Sequence, residues 1–389
     1  MIEGAVRSKQ SFNSLRQKAS DKVQFKNVIG QQTAKAQLRR MAESGRIPHA
    51  LMLLGMPGSG DLALALAFAQ YVLCENRSNG DACSTCSSCL KAGRLIHPDL
   101  HFSFPTVGAN VTSDALLTDW RAALEENPYL DVNQWLQRIG AENKQGNINK
   151  DECVNIIRKL SLKTFEGRYK ILILWLPEYL GKEGNRLLKL IEEPPENTLL
   201  ILVAQNQELI LNTILSRCQL VKVSRLTDEE MEEGLATHKG LSVEEARPIT
   251  QLADGDFNEA LKIAAQPSRD NSKVFLDWMR KCYLGNGVEM ANWVENFTGL
   301  GRENQKQFLQ YALHFMREYM ILKTTGNVRV RLLEDELKTA QNLSKIINFG
   351  QIERIVRLFG ECAYFIERNA NQKLLFLDAS IQINKILRG

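Results

Sequence analysis

Eight cysteines occur in the 389 residues, and four of them crowd together at Cys74, Cys83, Cys86 and Cys89. A Cys-x2-Cys step lets two thiolates meet one tetrahedral ion, and a fourth thiolate from the preceding segment closes the shell. Four sulfurs with no open position describe a structural zinc site, not a catalytic one. A redox pair and four unliganded thiols are the other readings of these residues. His97 lies nearby, but the thiols already complete a zinc shell, so a structural histidine before Pro98 is expected. The remaining cysteines, Cys153, Cys218, Cys282 and Cys362, are scattered, as buried small apolar residues often are.

A second constellation is Gly55-Met56-Pro57-Gly58-Ser59-Gly60-Asp61-Leu62. Its glycines match a phosphate-binding loop, G-x-x-x-x-G-K-[ST], which needs a strand before it and a helix after it. The glycines fit and the chemistry does not. Asp61 stands where a lysine would reach the β- and γ-phosphates, and Leu62 where a hydroxyl would ligate magnesium. Exchanging a cation for an anion there turns attraction into repulsion, on the order of 4 kcal/mol per unit charge pair at 4 Å and an effective dielectric of 20. A structural turn without nucleotide is expected; a vestigial anion site using backbone N–H groups is the alternative.

The elements that must hold these residues are legible in the apolar pattern. His49 to Leu54 is a short apolar run closed by Gly55, and Leu62 to Leu73 continues with good helix formers. Lys170 to Trp175 and Thr198 to Ala204 read as two more buried strands, with an amphipathic helix at Gly184 to Glu193 stopped by Pro194-Pro195. Strands without in/out alternation, separated by helices, imply a parallel sheet covered on both faces. A helix is expected at Gln32 to Met41, and from Leu226 onward the pattern is helical, opening with a capping box at Thr227 to Glu230. No internal repeat is found.

Hydrophobic residues make up 44% and charged residues 24%, which excludes general disorder and a small disulfide scaffold. No run of 18 or more apolar residues suggests a transmembrane helix. The first residues lack the apolar core of a secretory signal, so a cytoplasmic location is expected. Charge is uneven: residues 1–22 carry a net +3, residues 23–266 a net −4 and residues 267–389 a net +5. With its largest segment slightly acidic, the chain is not expected to hold nucleic acid alone.

Several short strings occur in order: Asn27-Val28-Ile29-Gly30-Gln31, Gly45 to Ala50, the four cysteines, His97-Pro98-Asp99, Asn185 to Pro195, and Thr213-Ile214-Leu215-Ser216-Arg217-Cys218. Together they resemble the bacterial sliding-clamp loader subunits, AAA+ proteins of the DNA polymerase III holoenzyme. The resemblance runs over nearly all of residues 23–266 and is weaker beyond, where Arg368 to Lys373 is the clearest point. ATP-hydrolysing members carry an Asp-Glu pair at the end of the second strand, where this chain has Trp175-Leu176. They carry a lid arginine where this chain has Asn258. With Asp61 and Leu62, these losses imply no ATPase and no bound ATP. Ser216-Arg217-Cys218, which in the family supplies an arginine finger to a neighbour's ATP, is intact. A lost site beside a retained finger is the pattern of the delta-prime type. By its residues alone, Arg217 could equally make a surface ion pair.

The resemblance implies an AAA+ α/β module over residues 23–222 with a zinc module at 74–89. It also implies a helical lid at 223–266 and a helical collar or oligomerisation domain at 267–389, after a linker at 266–268. Residues 1–22 are expected to be a flexible tail. The implied function is that of a non-catalytic scaffold in a hetero-oligomeric ring or spiral, beside ATP-hydrolysing subunits that load a sliding clamp onto primed DNA. An ATP-hydrolysing subunit of the family and an independent zinc-stabilised adaptor are the competing readings. Residues 103–147 depart from the family pattern, with Leu116, Leu117, Trp120 and Leu124 at helical spacing and Trp135 beyond. They read as a small helical insertion on the sheet or as a partner-binding surface. Arg158, Lys159 and Lys163 lie on a helix that in the family lines the inside of the spiral; they read as a solvated face or as phosphate contacts.

Overall fold

The apolar runs lie where strands buried on both faces belong, in the middle of a parallel sheet. The structure, a computed structural model, describes residues 23–142, 144–265, 271–326, 330–332, 334–343, 347–368 and 370–388. The expected tail (1–22) and linker (266–268) lie outside the described residues. Five strands, β1 (Ala50–Leu54), β2 (Leu100–Ser103), β3 (Lys170–Trp175), β4 (Thr198–Ala204) and β5 (Gln219–Lys222), pair in the order β2-β3-β4-β1-β5. Every pairing is parallel, with Met52 opposite Leu202 and Trp175 opposite Val203. All residues of β3 and β4 are buried, whereas edge strand β5 buries only Val221.

Helices alternate with these strands. In this unit they are α1 (Gln32–Glu43), α2 (Asp61–Leu73), α3 (Ser87–Ala92), α4 (Leu117–Glu126), α5 (Val132–Arg138), α6 (Lys150–Ser161), α7 (Leu188–Glu192), α8 (Asn212–Leu215) and α9 (Asp228–Lys239). α2 is apolar almost all round and wholly buried, with Asp61 its one charged residue. Thr227 and Glu230 make both halves of the capping box that opens α9. The helix expected at Gly184 to Glu193 is α-helical only from Leu188. Before it, Pro177–Leu187 winds as 3-10 helix and breaks at Gly181, whose φ of 49° and ψ of −134° are not helical.

Residues 103–147 close on themselves at an antiparallel bridge between Thr106 and Asn147. Between its ends, α4 and α5 deliver Trp120 and Trp135 to the sheet, both with no exposed surface. Trp120 stacks on Phe104 at 4.3 Å and lies 5.1 Å from Trp175 at the end of β3. The Trp135 indole N–H donates to the Pro105 carbonyl at 2.8 Å. The insertion is thus packed on the sheet by aromatic burial.

The chain divides into two compact units, Met1–Gly240 with Asp254–Glu259, and Leu241–Ala253 with Ala260–Gly389. The second contains α10 (Val243–Ala253), most of α11 (Phe257–Ala264), α12 (Asn271–Leu284), α13 (Gly287–Thr298), α14 (Arg302–Thr325), α15 (Glu334–Leu343), α16 (Phe349–Glu367) and α17 (Gln372–Arg388). Its core is aromatic: Trp278 stacks on Trp293 at 5.1 Å, and Phe297, Phe308 and Phe376 pack around them. No helix among the described residues is long and apolar enough to cross a membrane.

Candidate functional site

Cys74 follows the last residue of α2, Cys83 and Cys86 lie in the connecting loop, and Cys89 sits in the first turn of α3. Their ligand atoms all lie within 4.8 Å of one another. Cys83 Sγ and Cys89 Sγ are 3.9 Å apart. A tetrahedral zinc with Zn–S bonds of about 2.3 Å sets neighbouring sulfurs ~3.8 Å apart, so the cage has the right size. It is far too wide for a disulfide, whose sulfurs lie about 2.0 Å apart, and all four cysteines are free. Backbone N–H groups of Cys83, Cys86 and Cys89 donate to the sulfurs of Cys74, Cys83 and Cys86 at 3.3, 3.3 and 3.4 Å. Such bonds favour thiolate ligands and fix their direction. Burial raises the Cys74 and Cys89 thiols; it opposes ionisation at Cys83 too, but hydrogen bonds from Thr85 and Cys86 hold that thiol down to about 6. The four thiols could hold one metal ion, which would supply folding energy and no open position for chemistry.

His97 stands outside this cage. Its Nδ1 accepts the Asp99 N–H at 3.1 Å, and its Nε2 lies 3.4 Å from Glu166. The buried Asp99 accepts backbone N–H groups from Phe165, Glu166 and Gly167 at 2.6, 2.9 and 2.7 Å. His97-Pro98-Asp99 therefore ties the loop before β3 to the start of β2.

The glycine-rich loop joins β1 to α2, as its spacing requires, and two carboxyls stand at its phosphate end. Asp61 is 5% exposed; its Oδ1 accepts the Leu62 N–H at 2.8 Å, and its Oδ2 has no hydrogen-bond partner. Burial pushes this carboxyl up to about 7, the charge of nearby Glu178 adding to it and the Leu62 bond opposing it. A second carboxylate covers Gly58: a Cβ there would stand 1.8 Å from Asp256 Oδ1, and the Phe257 N–H donates to the Gly58 carbonyl at 3.1 Å. Gly58 and Gly60, at φ of 69° and 89°, hold the backbone turn a side chain would strain. Trp175 and Leu176 are buried at the end of β3, and the Trp175 ring lies 5.1 Å from that of Trp120 in the insertion. Asn258 is also buried, donating to Asp131 at 3.0 Å and accepting from Asn127 at 2.7 Å.

Arg217 follows α8 on the surface, its side chain 37% exposed. One guanidinium nitrogen donates to the Thr213 carbonyl at 2.8 Å, and the other meets Glu192 Oε1 at 2.6 Å. On α6, Lys159 is engaged by Asp114 of the insertion, Arg158 donates to Asn155 at 2.9 Å, and Lys163 is exposed just beyond the helix. Asp256, Glu178, Tyr129 and Glu192 were not singled out by spacing. Of the four, only Glu192 lies within one of the ordered strings, Asn185 to Pro195.

Comparison with known proteins bears on this arrangement. The family described as DNA polymerase III, delta subunit, matches residues 30–227, more than half of the chain. The delta' subunit of Escherichia coli DNA polymerase III is 26% identical over 358 residues, 89% of this chain and 92% of that protein. The Bacillus subtilis delta' subunit is 25% identical over 194 residues, 50% of this chain and 47% of that protein. The tau/gamma subunit of Haemophilus influenzae is 22% identical over 357 residues, 90% of this chain. The chain spans 41% of that tau/gamma protein and 56% of a Buchnera aphidicola gamma subunit. The resemblance to clamp-loader subunits therefore holds on the family match as well as on the ordered strings, and the chain belongs to the DNA polymerase III, delta subunit, family of clamp-loader proteins, close to delta'.

Proposed function

We propose that the chain is a non-catalytic, delta-prime-like subunit of a replicative clamp loader. It scaffolds ATP-hydrolysing partners in a hetero-oligomeric ring or spiral and contributes Arg217 in trans to a neighbour's ATP. Sliding clamp and primed DNA are met through the assembled complex, in the cytoplasm. In this reading residues 23–222 are the AAA+ module, 223–266 the lid and 267–389 the collar, and Cys74, Cys83, Cys86 and Cys89 hold a structural zinc.

The observation that carries the reading is the phosphate loop. The N-terminus of α2, where a bound phosphate would profit from free N–H groups, faces the chain's own Asp61 and Asp256 carboxyls. Neither lysine, hydroxyl nor acidic pair is present to bind ATP–magnesium. Arg217 keeps a role that needs no nucleotide of its own. Its pair with Glu192 is exposed and worth about 0–1 kcal/mol, so a neighbour's phosphate can displace it at little cost.

A guanidinium placed on a transferring γ-phosphoryl group accelerates hydrolysis by roughly 10³–10⁵ at one site, or about 4–7 kcal/mol. In a reconstituted loader, Arg217→Ala should assemble normally, slow hydrolysis at the one adjoining site and reduce clamp loading more than total ATPase. Arg217→Lys should rescue poorly, because an ammonium lacks the planar fork. Normal assembly with both activities at the wild-type level would leave Arg217 as a surface ion pair and sink the finger.

A further inference from the structure

The insertion at residues 103–147 does more than cover the sheet. Between α4 and α5 it makes the turn Asn127-Pro128-Tyr129-Leu130-Asp131, braced internally by the Tyr129 N–H donating to Asn127 Oδ1 at 2.9 Å. The turn reaches three segments distant from it and from one another in sequence. The Tyr129 hydroxyl accepts the Ile29 N–H at 2.9 Å. Its ring covers Gly60, where a Cβ would stand 2.9 Å from the ring edge, and lies 5.0 Å from the Phe257 ring. Asn127 and Asp131 hold the two ends of the buried Asn258 amide. The turn is anchored from behind, since Trp120 in α4 and Trp135 in α5 pack on each other and on Phe104.

We propose that this turn is an intramolecular stand-in for nucleotide, joining Ile29, the phosphate loop and Phe257-Asn258 into one cooperative unit. This rests on the nucleotide-free reading of the loop given above. The chemistry favours an uncharged ring on a tethered segment. With Asp61 in place of a cation and Asp256 over Gly58, the loop offers a polyphosphate no countercharge, whereas the turn meets Gly60 with the uncharged Tyr129 ring and sets its one carboxyl, Asp131, on the Asn258 amide. A segment of the same chain is already present at high effective concentration and loses no translational freedom on docking. The turn closes the phosphate end only; on its other side a cavity of about 580 Å³ remains, bounded by Val28, Ile29, Ala63, Leu66, Leu124 and Tyr129.

Hydrogen exchange read by mass spectrometry on the full chain tests this, using wild type, Tyr129→Ala and Tyr129→Phe with and without millimolar ATP–magnesium. Tyr129→Ala should accelerate exchange together in residues 27–31, 58–64 and 255–259, by roughly five- to a hundredfold, while β3 and α6 stay protected. Should that variant fail to fold, Tyr129→Phe removes only the hydroxyl, and its acceleration should still spread from 27–31 to 255–259. Acceleration confined to 27–31 or to the turn itself overturns the proposal. ATP should leave wild-type exchange unchanged. Protection of 55–62 by ATP would overturn the nucleotide-free reading and the stand-in together, whereas no ATP effect with uncoupled segments would overturn the stand-in alone.

Discussion

Asp61→Asn probes the loop most directly, because the cost of burying this carboxyl depends on pH with a calculable sign. The unfolded chain ionises Asp61 near 3.8, and the folded chain near 7. Below the lower value both states are protonated and the group has no effect. Between the two, the unfolded state releases its proton while the folded state keeps it, so stability falls as pH rises. Above 7 the deficit is constant at about 4 kcal/mol, from roughly three units at 1.36 kcal/mol each. Asparagine is neutral throughout and keeps an acceptor for the Leu62 N–H, and its amide nitrogen takes the place of Oδ2 beside the Gln205 side chain, a change whose effect is the same at every pH. The difference between the proteins should therefore swing toward Asp61→Asn by about 2 kcal/mol between pH 5.5 and 7 and stay flat above. Native-state hydrogen exchange of β1 and α2 amides, compared at matched pH with zinc in every buffer, reads this difference. Curves that run parallel across the range would mean that Asp61 titrates normally, and the account of a loop closed by a buried, largely neutral carboxyl would fall.

Metal analysis should find one zinc per chain. Cys86→Ser should lower both occupancy and melting temperature, because binding free energy is folding free energy in such a site; a metal-free preparation of full stability would contradict it. Trp120→Ala should destabilise the sheet unit by about 3–5 kcal/mol through the cavity it leaves, measurable by urea unfolding. Trp120→Phe should cost clearly less, since the indole N–H has no partner to lose, and equal losses in the two variants would argue against aromatic packing as the anchor of the insertion.

Much of the molecule was legible in the sequence because its signals are local. A Cys-x2-Cys step, a glycine at a fixed offset after a strand, a Thr-x-x-Glu box and an unbroken apolar run each constrain a few consecutive residues. Chain geometry then leaves few structures for them, so β1, β3, β4, α2, the opening of α9 and the cysteine cage all lie where the pattern put them. The break at Gly181 was less visible, since a glycine before an amphipathic stretch is compatible with both helix and kink. Composition of the phosphate loop was readable as a loss of chemistry, but not what takes the place of that chemistry. Asp256 over Gly58, Tyr129 over Gly60, Asn258 between Asn127 and Asp131, and Glu192 against Arg217 join residues tens to hundreds of positions apart. Each depends on how strands and helices stack, and stacking is set by the summed burial of many side chains. That sum exists only once the chain has folded, so these contacts were decided by the tertiary structure.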